Sequence, residues 1–164
     1  KRSLMDINDF VSKRQQILAA IVTGKCELVM RVKSERLMVL GDPIRLESAL
    51  MNLVLNARDQ MPQGGIVTVS TGRSLIDPDF IRQNGFGRVG LYAAVSVSDT
   101  GEGLRPEEQE RIFEPLFAVR GSMKGTGAGL SAVYDIVKEH EGYITVTSQQ
   151  DRGSTFTVYL PLER

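Results

Sequence analysis

The sequence predicts an α/β domain, a mixed sheet covered by one layer of helices. Segments with helical apolar spacing alternate with short runs of period-two alternation along all 164 residues. Glycine and proline fall at the joins between these segments. With 41% apolar and 24% charged residues, the chain can bury a core and keep a charged surface.

In chain order, Ile7, Phe10, Val11, Ile17, Leu18, Ile21 and Val22 predict a helix over residues 6–23, with Gly24 as its stop. Residues 27–32 alternate, Leu28, Met30 and Val32 to one side, and residues 37–40 form a short apolar run. These are expected to be two strands of a hairpin that turns through residues 33–36. Asp42-Pro43 supplies an N-cap and a proline at N1, opening a helix. Leu46, Leu50, Leu53, Val54, Ala57 and Met61 form its apolar stripe, and Pro62-Gln63-Gly64-Gly65 ends it. A strand over 66–71 follows. Asp77-Pro78, Asn84-Gly85 and Gly87 mark residues 75–88 as a surface insertion before a strand over 89–98. Pro106 opens a short helix to about residue 112. Residues 120–129, with Gly121, Gly125, Gly127 and Gly129, are expected to be a mobile loop. A helix over 129–141 and strands over 143–148 and 155–160 complete the chain.

Twenty basic residues balance twenty acidic ones, so no charge excess points to nucleic acid or a membrane surface. Apolar runs are too short to span a bilayer, and no signal-peptide pattern opens the sequence. Cys26 and His140 are the only residues of their kinds, which excludes a disulfide framework and a thiolate–imidazole zinc site. A cytoplasmic, reducing setting is expected. The opening Lys1-Arg2 reads as a cut from a longer protein.

Three constellations can carry chemistry. Ser48, Asn52, Asn56 and Asp59 fall at i, i+4, i+8 and i+11, on one helix face expected opposite the apolar stripe. Such a face suits solvent, yet an amide oxygen is also a neutral, hard ligand suited to Mg²⁺. Asp99-Thr100-Gly101-Glu102-Gly103 follows a strand, where a carboxylate can accept from an exocyclic amine and glycines let a flat ring approach. A plain turn has the same composition. Gly125-Thr126-Gly127-Ala128-Gly129 runs into a helix beginning at Leu130, an arrangement that favours phosphate, with Arg120 and Lys124 alongside. It is not a Walker A loop, since no Gly-Lys-Ser/Thr follows. His140, at a helix end before Glu141-Gly142, is expected to cap or to sit at the surface.

Their order is more specific than any one of them. Leu50-Met51-Asn52-Leu53-Val54-Leu55-Asn56-Ala57-Arg58-Asp59, Asp99-x-Gly101-x-Gly103, Phe113-Glu114-Pro115-Leu116-Phe117, Gly125-Thr126-Gly127-Ala128-Gly129-Leu130 and Gly153-Ser154-Thr155-Phe156 succeed one another with suitable gaps. Together they resemble the N, G1, F and G2 boxes and the final glycine turn of the ATP-binding catalytic domain of bacterial sensor histidine kinases. Residues 56–65 are especially similar to the nitrogen-regulator and hybrid-kinase branch. The resemblance covers about residues 6–162 and implies one domain over 1–164 with the Bergerat α/β sandwich of gyrase, Hsp90 and MutL, helices on one face.

It implies ATP and Mg²⁺ as ligands. Asn56 would be the metal ligand, Asn52 its partner one turn earlier, and Asp59 a further member of the site. Asp99 would accept from the adenine amine, with Gly101 and Gly103 at the base. Gly125, Thr126, Gly127, Gly129 and Leu130 would lie at the phosphates, and Thr155 at the final turn. Arg120 and Lys124 would belong to an ATP lid over residues 118–127. Asn52, Asn56 and Lys124 would serve catalysis. The implied partners are a histidine-bearing dimerisation domain of the same protein and, downstream, a receiver domain, with neither nucleic acid nor a membrane touched by this domain. Ala118-Val119-Arg120 stands where the branch has Thr-Thr-Lys, and Ala128 where an apolar residue such as Leu is usual. A nucleotide-sensing module of the same fold is the alternative. A gyrase-type ATPase would need a water-activating carboxylate where Asn52 stands, and an amide cannot take up a proton. No phosphoacceptor helix is present, so the chain is expected to bind ATP without phosphorylating itself.

Overall fold

A computed structural model of the chain describes residues 1–109 and 129–163. A five-stranded sheet has the order β2 (Cys26–Arg31), β4 (Gly65–Ile76), β5 (Gly90–Ser98), β7 (Gly153–Pro161), β6 (Tyr143–Gln149). The β2–β4 pair is parallel and the other three pairs are antiparallel, so the sheet is mixed. A separate two-stranded ribbon pairs β1 (Ser3–Asp6) with β3 (Met38–Gly41).

The expected hairpin over 27–40 does not form: its first strand joins the large sheet and its second joins the ribbon. The connecting residues are held elsewhere. Lys33 N donates to Thr71 Oγ1 at 3.0 Å, and Asn8 Nδ2 donates to Glu35 O at 2.5 Å. Leu37 N donates to Asp6 Oδ1 at 3.0 Å, so β3 follows the N-terminal segment. A parallel β2–β4 pair needs a long crossover, which β3 and the next helix provide.

The expected helix over 6–23 is two helices, α1 (Ile7–Ser12) and α2 (Gln15–Val22). The break lies at Arg14. Its guanidinium donates to Phe10 O at 2.9 Å, the carbonyl that the Arg14 amide would bond in a continuous helix. The Arg14 amide donates instead to Val11 O at 3.1 Å, and Glu47 holds the side chain from outside.

α3 (Pro43–Asp59) forms as its sequence requires. Asp42 Oδ1 accepts from Ile44 N at 3.1 Å and Arg45 N at 3.4 Å, and Pro43 takes a position with no amide to satisfy. Leu46, Leu50, Leu53, Val54, Ala57 and Met61 are all buried. They meet Val67, Val69, Val95, Val97, Phe156 and Val158 of the sheet, whose inward residues alternate along their strands. α4 (Pro78–Asn84), α5 (Pro106–Gln109) and α6 (Gly129–Glu139) are the other helices of the described residues. α6 buries Leu130, Val133, Ile136 and Val137 beside α3.

His140 does more than cap. It is buried, with Nδ1 2.8 Å from Ile136 O and Nε2 accepting from Asp42 N at 3.0 Å. That pattern needs the neutral imidazole with its proton on Nδ1. Together with the Arg45–Glu139 pair it joins the start of α3 to the end of α6.

α4, within residues 75–88, lies on the sheet face away from α3 and α6. Phe80 meets Tyr159 edge-on at 5.3 Å, and Phe86 stacks on Tyr143 at 5.6 Å. Tyr159 alternates with buried Val158 and Leu160, so it points out of the opposite face. Among the described residues no helix is long and apolar enough to cross a membrane.

Leu53→Ala should cost about 2–5 kcal/mol in a urea unfolding titration, because Leu53 is 2% exposed between α3 and the sheet. Leu53→Met should cost less than about 1.5 kcal/mol.

Candidate functional site

Asn56 and Asp99 are both buried, at 4% and 6% exposure, and polar. Asn56 Oδ1 is the only buried side-chain nitrogen or oxygen among the described residues with no hydrogen-bond partner. A buried acceptor left unpaired costs on the order of 1–3 kcal/mol, so the fold carries it against a stability gradient. The helical geometry explains its depth. At about 100° per residue Asn56 lies some 80° round from Ser48 and beside Ala49, at the margin of the apolar stripe. The expected polar face therefore divides: Ser48 is exposed, Asn52 half-buried and Asn56 buried. Asp59 is engaged by its neighbour Arg58 at 3.1 Å, which also donates to Ile21 O at 3.2 Å.

Asp99 ends β5. Its Oδ1 accepts from Gly101 N at 2.9 Å and Ser154 N at 3.2 Å, and its own amide donates to Ser154 O at 2.9 Å. Among the described residues its Oδ2 accepts no hydrogen bond. Burial pushes the Asp99 carboxyl above the usual aspartate range, and the two amide donors oppose that shift. The carboxylate is thus half satisfied, one oxygen fixed and the other available.

The turn after Asp99 is pressed against the end of α3. Thr100 N and Oγ1 each lie 3.3 Å from Met61 Sδ, and Ile66 N donates to Thr100 Oγ1 at 3.2 Å. A Cβ on Gly101 would run into the Gln60 carbonyl, which forms the C-cap of α3. One on Gly103, at φ +78°, would strike Gln149 O. Both glycines are therefore required by backbone packing, whatever approaches from outside.

α6 runs antiparallel to α3, since its last residues meet the start of α3 through Glu139–Arg45 and His140–Asp42. At about 1.5 Å rise per residue in each helix, Gly129 comes level with residues 53–55 of α3, within a turn of Asn56. The α6 N-terminus, the positive end of its dipole, therefore lies towards the Asn56 end of α3. Leu130 contributes only backbone there, because its side chain is in the core at 1% exposure. Arg120, Lys124, Gly125, Thr126 and Gly127 lie outside the described residues, as do residues 113–117 and the expected lid.

At the final glycine turn it is Ser154, and not Thr155, that bonds to Asp99. Thr155 faces away from the helices, its hydroxyl 2.8 Å from Ser98 Oγ. Ser154, buried at 4% exposure, supplies the amide to Asp99 instead. The β5–β7 register decides this: with Thr155 opposite Ser98, Ser154 comes opposite Asp99 and accepts from its amide, while the Thr155 side chain takes the face away from Phe156. Gly153, at φ +97°, lies where a Cβ would overlap Asp99 O. Gly153-Ser154 was visible in the sequence, but its contact with Asp99 crosses 55 residues.

Residues 41–164 match the family described as Histidine kinase-, DNA gyrase B-, and HSP90-like ATPase. The chain belongs to this family. It is 35% identical over 159 residues to the sensor kinase CckA of Brucella abortus (strain 2308), covering 96% of this chain and 17% of that protein. It is 31% identical over 160 residues to the sensor histidine kinase ZraS of Escherichia coli (strain K12), covering 96% of this chain and 30% of ZraS. The solved structure of the mycobacterial sensor histidine kinase MprB matches with a TM-score of 0.73 at 26% identity, over 98% of this chain and 99% of that one. The chain is thus similar to the ATP-binding catalytic domains of two-component sensor histidine kinases, and it spans less than a third of the length of the CckA and ZraS proteins.

Because its folded pKa lies above its unfolded one, Asp99 favours folding at acid pH, and that contribution is lost as pH rises from 3.8 through the raised value. The unfolding free energy of Asp99→Asn should therefore gain on the parent as pH climbs through this window. Parallel urea titrations of the two proteins measure it; a constant difference would mean that Asp99 is not desolvated.

Proposed function

We propose that this chain binds ATP together with Mg²⁺ and, within a longer sensor kinase, presents the γ-phosphate to a histidine on a dimerisation domain. The observation that carries the reading is Asp99, a buried carboxylate with one oxygen fixed by two amides and the other without a partner among the described residues. That free oxygen accepts from the 6-amino group of adenine. The Gly101–Gln60 packing holds the turn close beneath the base.

The Asn56 Oδ1 fits a hard cation, being a buried neutral oxygen with no donor among the described residues. Asn56 would hold Mg²⁺, with Asn52 one turn earlier beside it, and the bound ion would supply neutralisation of phosphate charge. The amides of Gly129 and Leu130, at the positive end of the α6 dipole, favour the phosphates. The sequence adds Gly125, Thr126 and Gly127 to that cradle, and Arg120 and Lys124 as cations drawing charge from the γ-phosphate. Catalysis by this domain is positioning and electrostatics, since the attacking imidazole belongs to another domain. The phosphoryl group then passes to a receiver domain. The setting of such a domain is the cytoplasm.

Asn56→Ala should weaken binding of a non-hydrolysable ATP analogue in Mg²⁺ and leave the Mg²⁺-free affinity nearly unchanged. Calorimetric titrations with and without the ion separate the two, and equal losses would remove Asn56 from the metal site.

Asp99→Asn should reverse base preference. With the amide oxygen held by Gly101 N and Ser154 N, its NH₂ replaces the free oxygen and donates where the parent accepts. ADP should then bind more weakly and IDP, which carries a 6-oxo group, more tightly, by a factor of roughly ten or more between them. An unchanged ADP-to-IDP ratio would end the adenine assignment.

A further inference from the structure

We propose that Ser148 is a positioning residue for purine recognition, acting through Asp99 and never touching the nucleotide. The proposal rests on the adenine reading above and adds to it the hydroxyl that sets the aim of the carboxylate.

Asp99 Oδ1 has two donors, and they come from separate pieces of chain. Gly101 N belongs to the turn after β5, and Ser154 N to the start of β7. Neither piece is rigid by composition: the first contains Gly101 and Gly103, the second Gly153. Ser148, near the end of β6, bonds to both. Its Oγ accepts from Leu104 N at 2.6 Å, lies 2.9 Å from Ser154 Oγ and donates to Gly153 O at 3.2 Å. With Ser154 donating, one hydroxyl accepts twice and donates once, which is its full capacity. A single atom thus spans the two segments that fix Asp99.

Two further ties between these segments are of other kinds. Asp151 N bonds Glu102 O farther out, and the Asp99–Ser154 backbone bond continues the β5–β7 ladder. Those contacts keep the hairpin against the turn. The Ser148 hydroxyl fixes the lateral relation of Gly101 N to Ser154 N, and so where the free Oδ2 of Asp99 points. Loosening it affects a ligand that bonds Oδ2 more than one that does not. This distinguishes positioning from plain stability, which would weaken every nucleotide alike.

The test is the ADP-to-IDP affinity ratio of the 164-residue chain, by calorimetry, for parent, Ser148→Ala, Ser148→Thr and Asp99→Asn. Ser148→Ala should lower the ratio roughly three- to tenfold through weaker ADP binding, IDP affinity staying near the parent value. Ser148→Thr, which keeps the hydroxyl, should preserve the ratio. In the Asp99→Asn background, Ser148→Ala should move the ratio by a different factor than in the parent, because the two residues act on one contact. Equal weakening of ADP and IDP by Ser148→Ala would overturn the proposal and leave a structural serine. So would an unchanged ratio in Ser148→Ala alongside an altered one in Asp99→Asn, with the adenine reading intact. An unchanged ratio in Asp99→Asn itself would refute the adenine reading and this proposal with it. Should circular dichroism show Ser148→Ala unfolded, Ser148→Cys keeps the volume with far weaker hydrogen bonding, and the same ratio decides.

Discussion

Burial of the α3 stripe against one face of the five-stranded sheet is the interaction on which the other features depend. Leu46, Leu50, Leu53 and Val54 are each at most 5% exposed. At about 1.5–3 kcal/mol per fully buried side chain, these four contribute on the order of 6–12 kcal/mol. That exceeds the roughly 1–3 kcal/mol cost of leaving Asn56 Oδ1 without a partner. The same helix can therefore anchor the core and hold an unsatisfied amide at the margin of its apolar stripe. Its rotation is fixed by the leucines, so the depth of Asn56 is fixed with it.

The second constraint is backbone contact. Gly101 fits beneath the Gln60 carbonyl, Gly103 against Gln149 and Gly153 against Asp99, with no room for a Cβ at any of them. These contacts bring the end of β5, the C-cap of α3 and the β6–β7 turn together. Asp99 is consequently desolvated while its Oδ1 is held by amides from two of those pieces. The carboxylate is thereby oriented by the protein itself, with Oδ1 held by amides and Oδ2 left at the end of that arrangement.

The opposite face of the sheet is divided. At one end α4 and residues 85–88 cover Tyr92, Tyr143 and Tyr159 with Phe80 and Phe86. Towards the other end Ser96 pairs with Thr157 and Ser98 with Thr155 through hydroxyls. Thr155 belongs to this hydroxyl row, which is why it is not on the Asp99 side.

Local chemistry made much of the molecule legible in the sequence. The Asp42-Pro43 start and the leucine stripe of α3, the end strands and the mixed α/β class follow from capping, periodicity and turn residues, which act over a few positions. The ordered motifs also marked Asn56 and Asp99. Tertiary structure decided what depends on long-range partners. Arg14 splits a helix by taking the Phe10 carbonyl, and Asn8, Thr71 and Asp6 draw residues 33–37 away from a hairpin. His140 is buried because Asp42, 98 residues away, supplies a donor for Nε2. Ser154 rather than Thr155 meets Asp99 because the β5–β7 register sets the Ser154 backbone opposite it. A sequence states which groups a residue offers; which partner reaches them is set by packing between segments far apart in the chain.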